Sequence, residues 1–343
     1  MSSETATAAP EAVDSVAAPE PANAVEPAPA PAPAAPARLN ADELVDRWHG
    51  ISVRAGAMLR DPAAAAFCAA AQRADADITA LIGAESERSL LLLMHSAGSE
   101  SQRYSVSHGL LVSVICDLAS RFLPDCTDDQ RRSLRQAALT MNIGMTRLQD
   151  QLALQDSPVT PEQRTLINDH PARSHELLRE MGVADELWLE AVLHHHAAPP
   201  GAMLEQPLAM QFARLVQRAD LFAARMSPSK QRAALSANVA AKGTYLDERK
   251  QPDVAGSLII KALGVYPAGS YVQLANGELA VVVRRGAAAS SPLVAAVADG
   301  QGIPYVQPSP RLTDTRATAV VRGVPPKEVR VRVSVERLLK LAR

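Results

Sequence analysis

Three adjacent histidines, His194, His195 and His196, stand in the stretch LHHHAAPPG, in a chain with eight histidines in all. Neutral imidazole is a common ligand for divalent metals such as zinc and iron. A histidine run at the end of a helical pattern therefore sets metal binding against a solvated helix terminus. Successive side chains on an α-helix point about 100° apart, and they converge on one ion only where the helix frays. His108, His170 and His175 lie upstream, and Asp220 interrupts an apolar stripe made by Leu215, Val216, Leu221 and Phe222. Helical bundles assemble metal sites from different helices, so wide spacing along the chain is compatible with one site. The residues alone leave both readings open.

The elements that must position these groups are mainly helical. Asn40 with Glu43, Thr127 with Gln130, and Thr160-Pro161 with Gln163 each have the spacing of an N-cap and its N3 partner. They predict helices from about residue 40, with a second over 61–83 and a third from Glu85 to 96–98. Further helices follow from Thr127, from Thr160 to a stop at Gly182, across ADELWLEAVLHHH, across PLAMQFARLVQRADLFAARM, and from about Ser229. After Gly264 the period changes. SYVQL and ELAVVVRR alternate around Ala275-Asn276-Gly277, a hairpin pattern, with SPLVAAVAD and EVRVRVSV (328–335) as a third and fourth strand.

The expected fold is mainly α, with a small antiparallel β appendage at the C-terminal end. Residues 1–38 form a tail rich in alanine and proline that cannot bury a core. Residues 39–98 form an N-terminal helical region read as a packing or dimerisation module, 99–264 the main helical domain and 265–343 the β-rich region.

Composition narrows the function classes. A net charge of −2 gives no basic footprint for nucleic acid polymers, and aromatic residues make up only 3% of the chain. Cys68, Cys116 and Cys126 form no CxxC and suit reduced thiols. The first residues lack the basic and apolar regions of a signal peptide, and no apolar run reaches the roughly 20 residues of a membrane span. A cytoplasmic protein without membrane partners is expected.

Four ordered segments carry a family resemblance: RQAALTMNIGMTRLQDQLALQDSPVTPEQRTLINDHPARSHELL, VLHHHAAPPG, ARLVQRADLFAARMSPSKQR and LGVYPAGSYVQLANGELAVVV. Together, from about 103 to 300, they resemble the HD-GYP phosphohydrolases, bacterial signalling proteins that hydrolyse cyclic di-GMP at a two- or three-metal centre. The resemblance implies an HD-domain helical bundle. It implies metal ligands at His108, His170, His194, His195 and Asp220. It also shows departures. The HD dyad falls on Met141 and Asn142, the phosphate-binding lysine on Met145, a glutamate ahead of the early histidine on Tyr104, and the glutamate of HHE on His196. APPGAM stands where the family has its GYP loop.

In a two-metal hydrolase a bridging carboxylate holds the cations about 3.5–4 Å apart. Asn142 offers only a neutral carbonyl oxygen, and the Met141 thioether suits hard cations poorly. One divalent metal (Fe, Mn or Zn), or none, is compatible with what remains. Arg147, Arg173 and Arg225 are candidate replacement phosphate contacts, while His175 and His196 are expected to face solvent. The expected function is a receptor or scaffold of cyclic di-GMP signalling with an inactive centre, its partner being cyclic di-GMP or a protein; a homodimer stays open. A residual metal-dependent phosphodiesterase and a purely structural module are the alternatives.

Overall fold

The computed structural model describes residues 38–98, 103–197, 201–288 and 290–342. The expected N-terminal tail and residues 198–200 of the APPG stretch lie outside them. Helix α1 (Ala41–Arg60) opens on the expected capping box: Asn40 Oδ1 accepts from Glu43 N at 2.9 Å, and Glu43 Oε2 accepts from Asn40 N at 3.0 Å. Where the sequence predicts two helices over 61–98, one long α2 (Ala64–Ala97) runs with a kink at Glu85, whose φ is −137°. There the Glu85 carboxylate accepts from Leu39 N at 3.1 Å and pairs with Arg88 at 3.0 Å, so the bend is held by charge rather than left open.

The centre of the bundle is α3 (Tyr104–Ser120), buried on nearly every side. It packs against α2, α4 (Asp128–Thr140), α8 (Leu208–Met226) and α10 (Val254–Leu263). Between them run α5 (Thr146–Leu154), α6 (Pro161–Glu180) and α7 (Glu186–His194). The capping boxes at Thr127 and Thr160 form as the spacing predicts, and Gly182 stops α6 with a φ of 83°, which a side chain would resist. The helix expected from Ser229 begins later, as α9 (Ala237–Tyr245). Residues 229–235 satisfy their backbone otherwise: Ser229 N donates to Arg232 O at 2.8 Å, and Leu235 N to Arg225 O at 2.8 Å.

The C-terminal sheet has five antiparallel strands in the order β4-β3-β2-β1-β5. The hairpin β1 (Tyr271–Leu274) and β2 (Leu279–Arg284) forms as expected, as does β3 (Leu293–Ala298). The fourth expected strand, 328–335, is a correction: it pairs with nothing in the sheet. The two edges are instead β4 (Pro304–Leu312) and β5 (Val320–Val324), followed by α11 (Val335–Leu341). Pro304, Pro308 and Pro310 lack the N–H a central strand needs, which disguises β4 in the sequence and fits it to an edge. The valines of 329–333 turn instead toward the seam between sheet and helices. No helix among the described residues is long and apolar enough to cross a membrane.

Candidate metal centre

The centre is built on two helix irregularities. Pro171 lies inside α6 and has no N–H to give the carbonyl four residues earlier, at Ile167. That freed carbonyl accepts from His170 Nδ1 at 2.5 Å. In the last turn of α7 the carbonyls also lack intrahelical partners, and Val192 O accepts from His195 Nδ1 at 2.7 Å. Each hydrogen bond fixes the proton on Nδ1 and leaves the Nε2 lone pair free. The two free Nε2 atoms then face one another at 3.0 Å, inside the protein.

Two lone pairs at that separation repel unless a cation sits between them or a proton is shared. A shared proton is disfavoured: burial, then the neighbouring His196 and His170, push His195 down to about 3, and burial lowers His170 as well. The arrangement is that of metal-binding histidines, whose second ring nitrogen is committed to a carbonyl. Zinc–nitrogen bonds of about 2.0–2.1 Å place tetrahedral ligand atoms roughly 3.3 Å apart. His196 completes a group of three whose ligand atoms lie within 4.8 Å of one another. Its ring centroid is 4.2 Å from that of His195 and 5.1 Å from that of His170.

The other residues singled out in the sequence fall around this group unevenly. His194 is turned away, its Nε2 3.2 Å from Glu190 Oε2 one turn earlier on α7. His196, expected to face solvent only, is exposed yet belongs to the cluster. The signal that identifies it is the end of α7 at His194: His195 caps the helix with φ −67° and ψ −7°, and past the last full turn adjacent rings can converge. His108 and Asp220 pair with each other, Nε2 to Oδ1 at 2.6 Å, with the Asp220 side chain 22% exposed. Burial disfavours the Asp220 carboxylate, but the bond and charge of His108, reinforced by His195 and His196, outweigh it and hold the group at about 2. Asp220 therefore supplies a fixed negative charge toward the cluster.

Tyr104 stacks on His108, with centroids 5.4 Å apart and planes 13° apart. Burial, then the Asp220 charge, push its phenol up to about 12, although Arg232 hydrogen-bonds to it. Arg225 lies near Arg232, and its Nη1 is buried without a hydrogen-bond partner against Gly243. Of the other two candidate arginines, Arg147 is exposed and paired with Asp61, and Arg173 is exposed on α6. Met141 is buried in the core. Asn142 bonds through its backbone carbonyl, which accepts from Met145 N at 2.9 Å and from Thr146 Oγ1 at 3.3 Å. Met145 lines a separate cavity of about 300 Å3 with Leu59 and Arg173. His175 takes a hydrogen bond from Arg179 at 3.2 Å on the surface.

No protein-family model matches the chain. Among curated proteins it is similar to a cyclic di-GMP phosphodiesterase of Pseudomonas aeruginosa, 25% identical over 190 residues, which are 54% of this chain and 45% of that protein. The chain thus spans less than half the length of that relative. Among solved structures it aligns with an HDG"Y"P protein from Bdellovibrio bacteriovorus at a TM-score of 0.49 and 14% identity, over 64% of this chain and 71% of that one.

Proposed function

We infer that this chain is a divergent member of the HD-GYP phosphohydrolase family, and we propose that it acts in cyclic di-GMP signalling as a non-catalytic receptor or scaffold with one metal site. The observation that carries this reading is the pair of buried Nε2 atoms of His170 and His195, 3.0 Å apart with both Nδ1 protons committed to carbonyls. A single divalent cation resolves that repulsion, and His196 supplies the third imidazole.

The same residues argue against a second metal. Two divalent ions bring four positive charges, and among the described residues the cluster faces one carboxylate, Asp220, already engaged by His108. No carboxylate stands at the dyad positions, Met141 and Asn142, to bridge two cations. Asp220, held at about 2, is also too weak a base to take a proton from water near neutral pH. When bound, the metal supplies a Lewis acid; the chain's own part is to hold it and to present cations to a phosphate. We assign the latter role to Arg232, which is bonded to the Tyr104 that stacks on His108.

The test is calorimetric titration of cyclic di-GMP into the full chain, beside a linearisation assay with added iron or manganese. Binding without turnover is expected, weakened about tenfold by Arg232→Ala through loss of a charge-assisted contact. Linearisation at a rate that Asn142→Asp does not raise would overturn the non-catalytic reading. Absence of nucleotide binding would leave the structural-module alternative.

A further inference from the structure

Away from the histidine cluster, the seam between helices and sheet forms a cleft of about 370 Å3 that opens to solvent. Its walls are largely apolar. Met94 comes from α2, Met226 from the last turn of α8, Val324 from β5, and Val331 and Val333 from the segment before α11. Three larger polar side chains interrupt this lining: His95, Tyr271 and Arg332. His95 and Tyr271 have ring centroids 6.3 Å apart. Burial favours the neutral form of His95, against the opposing pull of Glu336. Tyr271 makes no hydrogen bond through its hydroxyl, and Arg332 makes no ion pair, among the described residues.

A concave, mostly apolar space with a few convergent polar groups is the usual form of a small-molecule site. Among the described residues the lining carries one full charge, the guanidinium of the exposed Arg332 at its rim, and no carboxylate. A ligand that fits it has an anionic head and an apolar body. At about 30 Å3 per non-hydrogen atom, the share of a water in the liquid, the cavity holds roughly twelve such atoms, the size of decanoate. We propose that this cavity binds a medium-chain fatty acid, with the carboxylate on Arg332 and the Tyr271 hydroxyl and the chain among Met94, Met226 and the valines. Met226 closes α8, the helix that carries Asp220. The cavity shares no residue with the histidine cluster, and binding there stands or falls independently of metal or nucleotide.

The full-length protein, labelled with 13C at its methionine methyls, is titrated with decanoate below its micelle concentration, with calorimetry alongside. The Met94 and Met226 methyl signals are expected to shift and saturate. Arg332→Ala is expected to weaken decanoate about tenfold, to the affinity of uncharged 1-decanol for the wild type. Val331→Trp, which fills the cavity, is expected to abolish binding of both. Should that variant fail to fold, the wild-type methyl shifts still decide the matter. Met94 and Met226 signals unmoved at the end of the titration, or decanoate bound equally well by Arg332→Ala, would overturn the proposal.

Discussion

At the scale of single residues, the centre is organised by two carbonyls that helices ordinarily keep for themselves. Pro171 sacrifices a helical hydrogen bond, and the Ile167 carbonyl it frees orients His170. Proline in a helix interior costs about 3 kcal/mol. Pro171→Ala should therefore raise stability in urea denaturation while weakening metal affinity about 10- to 100-fold, the usual range for loss of an outer-shell partner. A variant that gains stability with unchanged metal affinity would contradict that role. Protonation offers a second handle. The folded state holds His195 at about 3 against 6.5 in the unfolded chain, so below 6.5 the unfolded state binds more protons. Stability contributed by neutral His195 is thus full above pH 6.5 and lost as pH falls toward 3. The metal-free protein should lose up to about 1.4 kcal/mol per pH unit from this group between pH 6 and 4. His195→Gln should flatten that part of the profile in thermal melts. The sequence made His170 and His195 legible as candidates, and Asp220 as an oddity in an apolar stripe. The resemblance put His194 among the ligands and His196 in solvent, whereas His196 is the ring grouped with His170 and His195, because which ring turns inward depends on where α7 ends, and helix ends are weakly encoded.

At the scale of elements, buried ion pairs fix helices to one another. Arg135 on α4 reaches Asp75 on α2 at 2.6 Å and Asp117 on α3 at 2.8 Å, all three side chains less than a tenth exposed. Asp117 also pairs with Arg121 at 2.9 Å. Removing one partner from such a group leaves buried charge uncompensated, at a cost of about 3–5 kcal/mol. Arg135→Met should lower stability by that amount in urea titration. Asp75→Asn in the same background should recover part of the loss, since one unpaired carboxylate is gone. The helices were readable because their caps are local: Asn40, Thr127 and Thr160 each act on a backbone N–H three residues away. The edge strands were not. β4 carries three prolines, and β5 is a five-residue strand whose pairing with β1 spans some fifty residues of chain. EVRVRVSV has the alternation of a strand, but its valines are half-buried toward the seam between sheet and helices instead of pairing with an edge.

At the scale of the whole molecule, the last helix closes on the first. Leu338 and Leu339 of α11 are fully buried, and α11 packs on α1, α2, β2 and β4. The β-rich region is thereby bound to the helices at both of its ends. Leu338→Ala should cost about 2–5 kcal/mol, the range for emptying a tightly packed leucine site. A single cooperative transition, shifted to lower denaturant for near- and far-ultraviolet circular dichroism alike, is the expected form of that loss. Separate transitions for sheet and helices would show them to be independent. The central claim, one cation where a family of hydrolases holds two or more, is tested most directly by counting metal. Protein purified without oxygen and analysed by plasma mass spectrometry should carry at most one iron, manganese or zinc per chain. That metal should be lost in His195→Ala and kept in His194→Ala. Two metals per chain, or equal loss in the two variants, would contradict the account.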